Sequence, residues 1–444
     1  MALNFREKAG WGLADMGINV FVVVKQLLVF TYLTTFLGVP AGVAGFVTFA
    51  VLAFDVVTDP LVGYLSDRTT GRWGRRAPWI FAGSLILSGG ILAMFAVPQG
   101  MDWQGNLAWV FVAFVAATIG FTFVAIPYGA MAGEMTDDPR ERSTMMAFRM
   151  TFASLGLLMA GAVIPAMAGD TREGYFRAVA LVTPLIIITI WGMLWATRTA
   201  PRIAAPAPAK AREVMGLLLQ NRGFTTLVIV YGVMTLGVAI IAAGLQLAAL
   251  YLITDDGLSP LSGLAGALGI FSTLFAMFIL GSVISQYIWV KTSAAAGKFW
   301  ALVIGLALYV CVLVVVWQAL PAQSITPMAA LFLAAGFTNG AYQQIPWAIY
   351  PDHMDDTRAA SGQAIEGAFS AVWLFGQKIA NAVAPLILGV ILSLSGWQES
   401  TQGVIPQTDS ALNALRAGLT LVPAGILAAA IAGLVVFYRP FARG

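Results

Sequence analysis

The chain has 444 residues, of which 59% are hydrophobic and 10% charged, and its net charge is +3. Soluble domains carry about 25% charged residues, so the composition excludes a soluble fold and points to a chain that lives in a lipid bilayer. The lone Cys311 excludes a disulfide framework and a cysteine metal centre, and the small positive balance is no signal for nucleic acid.

Apolar stretches of about 20 residues, enough to cross the hydrocarbon layer, recur from one end of the chain to the other. In order they predict twelve spans, over residues 11–37, 41–65, 78–98, 107–131, 144–168, 177–198, 224–252, 262–289, 298–318, 325–349, 362–395 and 413–438. The ten residues before the first span are charged but lack a cleavable signal pattern, so that span is expected to serve as the signal. With the N-terminus inside, eighteen of the 24 Lys and Arg residues fall in inner segments, and only Arg172, Arg177 and Arg416 in outer loops. This positive-inside bias predicts a multi-pass plasma (inner) membrane protein with both termini in the cytoplasm.

The longest inner connection, Thr199 to Gly223, contains Pro-Arg-Ile-Ala-Ala-Pro-Ala-Pro-Ala-Lys, which is linker composition. It divides the chain into a six-helix bundle over 1–198, a linker over 199–223 and a second six-helix bundle over 224–444. A weak repeat accompanies the division: Arg75-Arg76-Ala77-Pro78-Trp79 enters the third span and Lys298-Phe299-Trp300 the ninth. Two repeated halves with polar residues at mid-membrane depth are the organisation of many secondary transporters. No Gly-x-x-x-x-Gly-Lys-Ser/Thr loop occurs, so ATP is not the expected energy source.

Ionisable residues inside spans are costly and mark function. Asp55 and Asp59 stand four residues apart on the second span, about one helical turn, so both carboxylates face the same way. Thr58 adds a hydroxyl, and Pro60 frees the carbonyl of Val56, giving the oxygen donors that a hard cation prefers. The plainer reading is that these acids pair with Arg149 or Lys378. Asp15 is either a headgroup-level acid or a cavity-lining acceptor for sugar hydroxyls. Arg149 either clamps a carboxylate or binds substrate. Lys378 is expected to pair with the acids of the second span or with Asp15. Lys25 reads as a snorkelling lysine or as an outer-cavity cation that attracts an anionic substrate. Gln343, Trp347 and Trp373 are further lining candidates, whereas His353, at a span end beside Asp352 and Asp355, reads as a solvated loop residue.

The run Asp55-x-x-Thr58-Asp59-Pro60-x-x-Gly63-x-x-Ser66-Asp67-Arg68, followed by Arg72-Trp73-Gly74-Arg75-Arg76-x-Pro78-Trp79, resembles the glycoside–pentoside–hexuronide:cation symporters, the melibiose-carrier-like branch of the major facilitator superfamily. The similarity extends to Gly10 and Asp15, Ile126-Pro127, Arg149, Pro346-Trp347, Pro351-Asp352, Asp355 and Lys378. It implies an all-α membrane fold of twelve helices in two halves. It further implies a cation site of Asp55, Asp59, Thr58 and Thr122, and a sugar site and charge network including Asp15, Arg149 and Lys378. The inner-gate motif would comprise Gly63, Asp67, Arg68, Arg75 and Arg76, with Asp352 and Asp355 in the second half. Gly63 is expected to permit close helix contact, and Asp67 to cap a helix or pair with an arginine. Departures from melibiose carriers include Ala125, where those carriers have an acid, and Lys25, an added cation; both argue against melibiose and favour an anionic glycoside or hexuronide.

The expectation is a monomeric symporter coupled to Na+ or H+, without other cofactors, that imports a glycoside by alternating access. A sodium-coupled lysophospholipid-type symporter is the alternative within the class. A membrane enzyme lacks the clustered nucleophile or metal ligands it needs.

Overall fold

The computed structural model describes residues 3–70, 72–136, 138–201, 216, 218, 220–361 and 366–442. Most of the expected linker, with Arg202, Lys210 and Arg212, lies outside the described residues. Regular structure among the described residues is helical, apart from one isolated bridge between Ile253 and Ala322.

The helices are α1 (Phe5–Phe36), α2 (Ala41–Arg68), α3 (Ala77–Phe95), α4 (Trp103–Met135), α5 (139–168), α6 (Arg172–Ala196), α7 (Arg222–Tyr251), α8 (Ile270–Ala296), α9 (Lys298–Ala319), α10 (Ile325–Ser361), α11 (Glu366–Leu394) and α12 (Asp409–Phe441). Eleven helices among the described residues are long and apolar enough to cross a membrane. The remaining one, α10, is 37 residues long and dilutes its apolar content with Asn339, Gln343 and Gln344. It runs well beyond the expected end at residue 349, through Pro346 and Pro351. The span expected over 262–289 is two helices: Gly269, at φ +84°, separates a short helix, Ser262–Leu268, from α8. Apolar composition cannot reveal that break, because only glycine adopts this backbone region cheaply.

The chain divides into two compact units. One comprises Met1–Pro206 with Gln398–Pro406, the other Ala207–Trp397 with Gln407–Gly444. Within the first, α1 packs on α5 and α6, α2 on α4, and α3 on α4 and α6. Within the second, α7 packs on α11 and α12, α8 on α10, and α9 on α10 and α12. The pairing is the same in each six-helix set, so an internal repeat that leaves only a faint trace in sequence is plain in packing. The segment Gln398–Pro406, expected as part of the second bundle, is held by backbone to the first unit. Gly38 N–H donates to the Ser400 carbonyl at 2.8 Å, and Ser400 N–H to the Thr34 carbonyl at 3.1 Å. Glu399 Oε1 accepts from Ala41 N–H, the first residue of α2, at 2.9 Å.

Close helix crossings in membranes need small residues at the contact. A Cβ at Gly12 would come within 2.8 Å of the Arg149 backbone nitrogen, and one at Gly156 within 2.2 Å of the Met16 carbonyl oxygen. These two glycines set the α1–α5 approach, and with it the distance between Asp15 and Arg149. Gly63 is less crowded among the described residues: a Cβ there would meet Ile126 Cγ2 at 3.6 Å, an ordinary contact. One turn of α1, Val24–Leu28, is a π-turn in which the Val29 N–H reaches back to the Val24 carbonyl. Such turns shift the facing of the side chains around them and recur at functional sites. This one carries Lys25.

Candidate functional site

Three clusters of buried polar groups among the described residues of the first unit hold the ionisable candidates. The first lies where α1 meets α5. Asp15 is 2% exposed, and its Oδ2 accepts from Arg149 Nε at 2.9 Å. The Arg149 side chain keeps one-third of its surface open, so its remaining N–H donors are available to a ligand. Trp11 and Tyr128 stack with ring centroids 4.8 Å apart, and the guanidinium carbon lies 5.7 Å from the Tyr128 ring centroid. Asp15 Oδ1 and the Tyr128 hydroxyl are buried without a hydrogen-bond partner among the described residues. Buried polar atoms left unmade are expensive, so two of them beside an open guanidinium mark a place built for hydroxyls or an anionic group. Asp15 and Arg149 were legible in the sequence. Trp11 and Tyr128 were not singled out, although an aromatic four residues before Asp15 was a usable signal.

The second cluster surrounds Asp55, which is 2% exposed. Thr122 Oγ1 on α4 donates to its Oδ1 at 2.9 Å, which joins two of the four residues for which the resemblance implied a cation site. Lys25 Nζ donates to its Oδ2 at 3.4 Å. Neither sequence reading of Lys25 describes this. The side chain is 7% exposed, neither snorkelling nor facing an open cavity, and its ammonium sits 4.3 Å from the Phe121 ring centroid and 5.3 Å from that of Phe21. An unpaired charge at membrane depth costs about 2.5–3.5 kcal/mol on insertion scales, and the Lys25–Asp55 pairing offsets this for both groups. The two acids of α2 are therefore inequivalent: Asp55 is buried and Asp59 half-buried. The Thr58 hydroxyl donates to the backbone carbonyls of Phe54 and Asp55, leaving its oxygen as an acceptor.

The third cluster joins α2, α3 and α4 at the end rich in arginine. Glu134, 4% exposed, accepts from Arg75 at 2.8 Å and from Arg76 Nε and Nη2 at 2.9 Å. Arg76 also donates to Ser66 Oγ at 2.8 Å and pairs with Asp67. Of the two roles expected for Asp67, pairing with arginine is the one adopted. Arg68 lies exposed over the Tyr64 ring. Glu134 was missed in sequence, because it stands near a span end where acids are unremarkable.

In the second unit, Trp373 is fully buried. Tyr231 stacks on it at 4.1 Å and Tyr350 at 5.0 Å, so its faces are taken and it offers none to a sugar. Trp347 is 40% exposed and donates Nε1–H to the Tyr231 hydroxyl at 3.2 Å. Gln343 is exposed on α10, and Lys378 half-buried on α11. His353 is not a solvated loop residue: it is buried within α10, its Nε2 2.8 Å from the Tyr438 hydroxyl. Asp352 accepts from Lys298 at 2.7 Å, and Asp355 is exposed. Lys298, Asp352, His353 and Tyr438 line a cavity of about 580 Å³ at that end of the unit.

Long apolar helices in two repeated sets of six, with ion pairs buried inside the spans, define a membrane transporter of the major facilitator type. The chain belongs to the MFS/sugar transport protein family, whose model matches residues 10–439. It is therefore a transporter and not an enzyme. Its relatives include a putative glycoside/cation symporter of Escherichia coli, 24% identical over 90% of this chain and 85% of the relative. A glucuronide carrier protein homolog of Escherichia coli is 25% identical, covering 99% and 93%. A putative sulfoquinovose importer of Salmonella typhimurium is 24% identical, covering 99% and 90%. Among solved structures, a bacterial homolog of the human lysosomal transporter Spinster superposes with a TM-score of 0.64 at 15% identity, covering 98% of this chain and 96% of the other. The nucleoside transporter NupG gives 0.63 at 13%, covering 98% and 100%. At such identities these two speak to the fold alone.

Proposed function

We propose that this protein is a cation-coupled symporter, driven by Na+ or H+, that imports an anionic glycoside such as a hexuronide or a sulfonated sugar by alternating access, with both termini in the cytoplasm. The observation that carries the reading is the Asp15–Arg149 pair, with its open guanidinium, its two unpartnered buried oxygens and its stacked Trp11–Tyr128 platform. A guanidinium fork suits a carboxylate or sulfonate, a carboxylate acceptor suits sugar hydroxyls, and aromatic rings suit the apolar face of a pyranose. Two relatives, a glucuronide carrier protein homolog and a putative sulfoquinovose importer, are named for one sugar anion of each kind.

The cation acts at Asp55, Asp59, Thr58 and Thr122 of the first unit. Neutralising the acids of α2 raises affinity for the sugar, and sugar binding raises affinity for the cation by the same factor. Lys378, Gln343 and Trp347, on α10 and α11, are further substrate-binding residues. The cluster of Asp67, Arg75, Arg76 and Glu134 holds the inner gate and opens when those pairs break.

The test is uptake into proteoliposomes of methyl β-D-glucuronide, sulfoquinovose, methyl β-D-glucoside and lysophosphatidylcholine, each with imposed Na+ or H+ gradients. The reading expects accumulation of an anionic sugar, lost in Arg149→Gln, and none of the lysolipid. Uptake of lysolipid alone, or sugar uptake indifferent to Arg149→Gln, contradicts it.

A further inference from the structure

We infer that the end of the first unit where α1 begins and α6 finishes is a binding site for an anionic phospholipid, its phosphate held between Arg6 and Arg198 and an acyl chain laid along α6. The site stands apart from the sugar and cation clusters, and its test involves no transport. Its position follows from how the two helices meet. A Cβ at Gly10 would come within 2.2 Å of the Ala196 Cβ, and one at Gly17 within 2.6 Å of Thr189 Oγ1. Contacts this close need glycine on α1, and they fix the register of the crossing. One turn before Gly10, Arg6 therefore stands beside the last turn of α6.

Arg6 is held in place there. Its guanidinium carbon lies 3.5 Å from the Trp195 ring centroid, and Nη2–H donates to the Trp195 carbonyl at 3.2 Å. That carbonyl belongs to the end of a helix, where intrahelical partners run out. The stack and the bond set the plane of the guanidinium while leaving its other N–H donors open. Arg198 approaches the same ring, at 5.7 Å. Both arginines are exposed, and neither pairs with a carboxylate among the described residues. Lys8, Arg75, Arg76, Arg149 and Lys298, by contrast, each have an acid. Glu7, next to Arg6 in the chain, is 6% exposed, and its oxygens accept from the Thr199 hydroxyl and the Asn4 amide. Two uncompensated guanidiniums at one ring suit the oxygens of a phosphate.

What runs from the arginines into the membrane is apolar. Leu181, Ile188 and Trp195 stand seven residues apart, which puts them on one face of α6, and they are 66%, 64% and 57% exposed. A free phosphate leaves that stripe bare, whereas a diacyl lipid covers it. Charge then selects among lipids. Phosphatidylglycerol presents a net negative headgroup, while phosphatidylcholine carries its own cation beside the phosphate and competes with the arginines for it.

The probe is phosphatidylglycerol brominated on its acyl chains, which quenches nearby tryptophan, in phosphatidylcholine vesicles holding the purified protein. The chain has 13 tryptophans, so the Trp195 signal is the difference between each protein and its Trp195→Phe counterpart. In the wild type, brominated phosphatidylglycerol is expected to quench this signal at a lower mole fraction than brominated phosphatidylcholine. Arg6→Gln and Arg198→Gln are each expected to raise the required fraction roughly fivefold, with quenching by brominated phosphatidylcholine unchanged. Glycerol 1-phosphate in the buffer is expected to have no effect; if it displaces the lipid, the site is one for a free phosphate and the lipid assignment falls. Equal quenching of the wild type by the two lipids, or a phosphatidylglycerol preference that survives both substitutions, also overturns the inference. If Arg6→Gln, which removes a bond to α6, does not fold, Arg198→Gln at its exposed position decides alone.

Discussion

Replacing Asp15 by asparagine tests the substrate site most sharply, because it keeps the shape and removes the charge that holds Arg149. Breaking a fully buried ion pair costs about 3–5 kcal/mol, whereas exposed pairs contribute about 0–1 kcal/mol. Asp15 is buried, and Arg149 is one-third exposed, so an intermediate loss of about 2 kcal/mol follows. At about 1.4 kcal/mol per tenfold, that is a roughly 30-fold fall in kcat/KM for methyl β-D-glucuronide entry into proteoliposomes. The double variant Asp15→Asn with Arg149→Gln is expected to lose little more than the worse single variant, since both act on one interaction. Losses that simply add, or an Asp15→Asn protein that transports like wild type, would refute the claim that the two residues act as a pair.

Glu134→Ala leaves the buried Arg76 with Ser66 and Asp67 alone; a loss of about 3 kcal/mol is expected, read as a clear fall in Tm, and an unchanged Tm counts against the buried network. Gly156→Ala pushes a methyl group into the Met16 carbonyl, whereas Gly63→Ala meets only Ile126. Overpacking costs about 1–3 kcal/mol, so the first is expected to lower Tm and the second to leave it, and equal effects contradict the assignment of the α1–α5 crossing. Glu141 is held below the usual carboxylate range by the Thr136 hydroxyl first, then by Lys8 and the Leu3 amide. A depressed native pKa adds stability above the unfolded value of about 4.3, and that contribution disappears as pH falls through the native value. Glu141→Gln is therefore expected to flatten the acid limb of a Tm-against-pH curve; an unchanged limb would exclude this role.

The spans, the acids of α2, and Asp15 and Arg149 as single residues were legible because each is a departure from an apolar background, and departures are what a sequence displays. That Arg149 pairs with Asp15 rather than with the acids of α2 was not legible, since it depends on how α1 crosses α5. Lys25 was visible as a charge but not as the partner of Asp55, since that pairing depends on α1 and α2 meeting at a π-turn. Thr122 needed the family resemblance, because threonines are common in spans and only contact with Asp55 distinguishes this one. The burial of His353 and the enclosure of Trp373 were hidden for a similar reason. Both depend on residues distant in sequence, Tyr438 for the first and Tyr231 for the second. Gly63 misled in the opposite direction, a motif glycine whose Cβ would meet Ile126 at an ordinary contact distance of 3.6 Å. The six-helix repeat reads faintly in sequence and clearly in packing, because the same helix pairs form from unrelated side chains.

The central claim is that charge on α2 couples an ion gradient to sugar movement. Its direct test is uptake of methyl β-D-glucuronide into proteoliposomes under imposed H+ and Na+ gradients, before and after an ionophore dissipates them, in wild type and Asp55→Asn. The account predicts accumulation above equilibrium in the wild type, collapse to equilibrium with ionophore, and equilibrium from the start in Asp55→Asn. Gradient-driven accumulation by Asp55→Asn equal to wild type would contradict it.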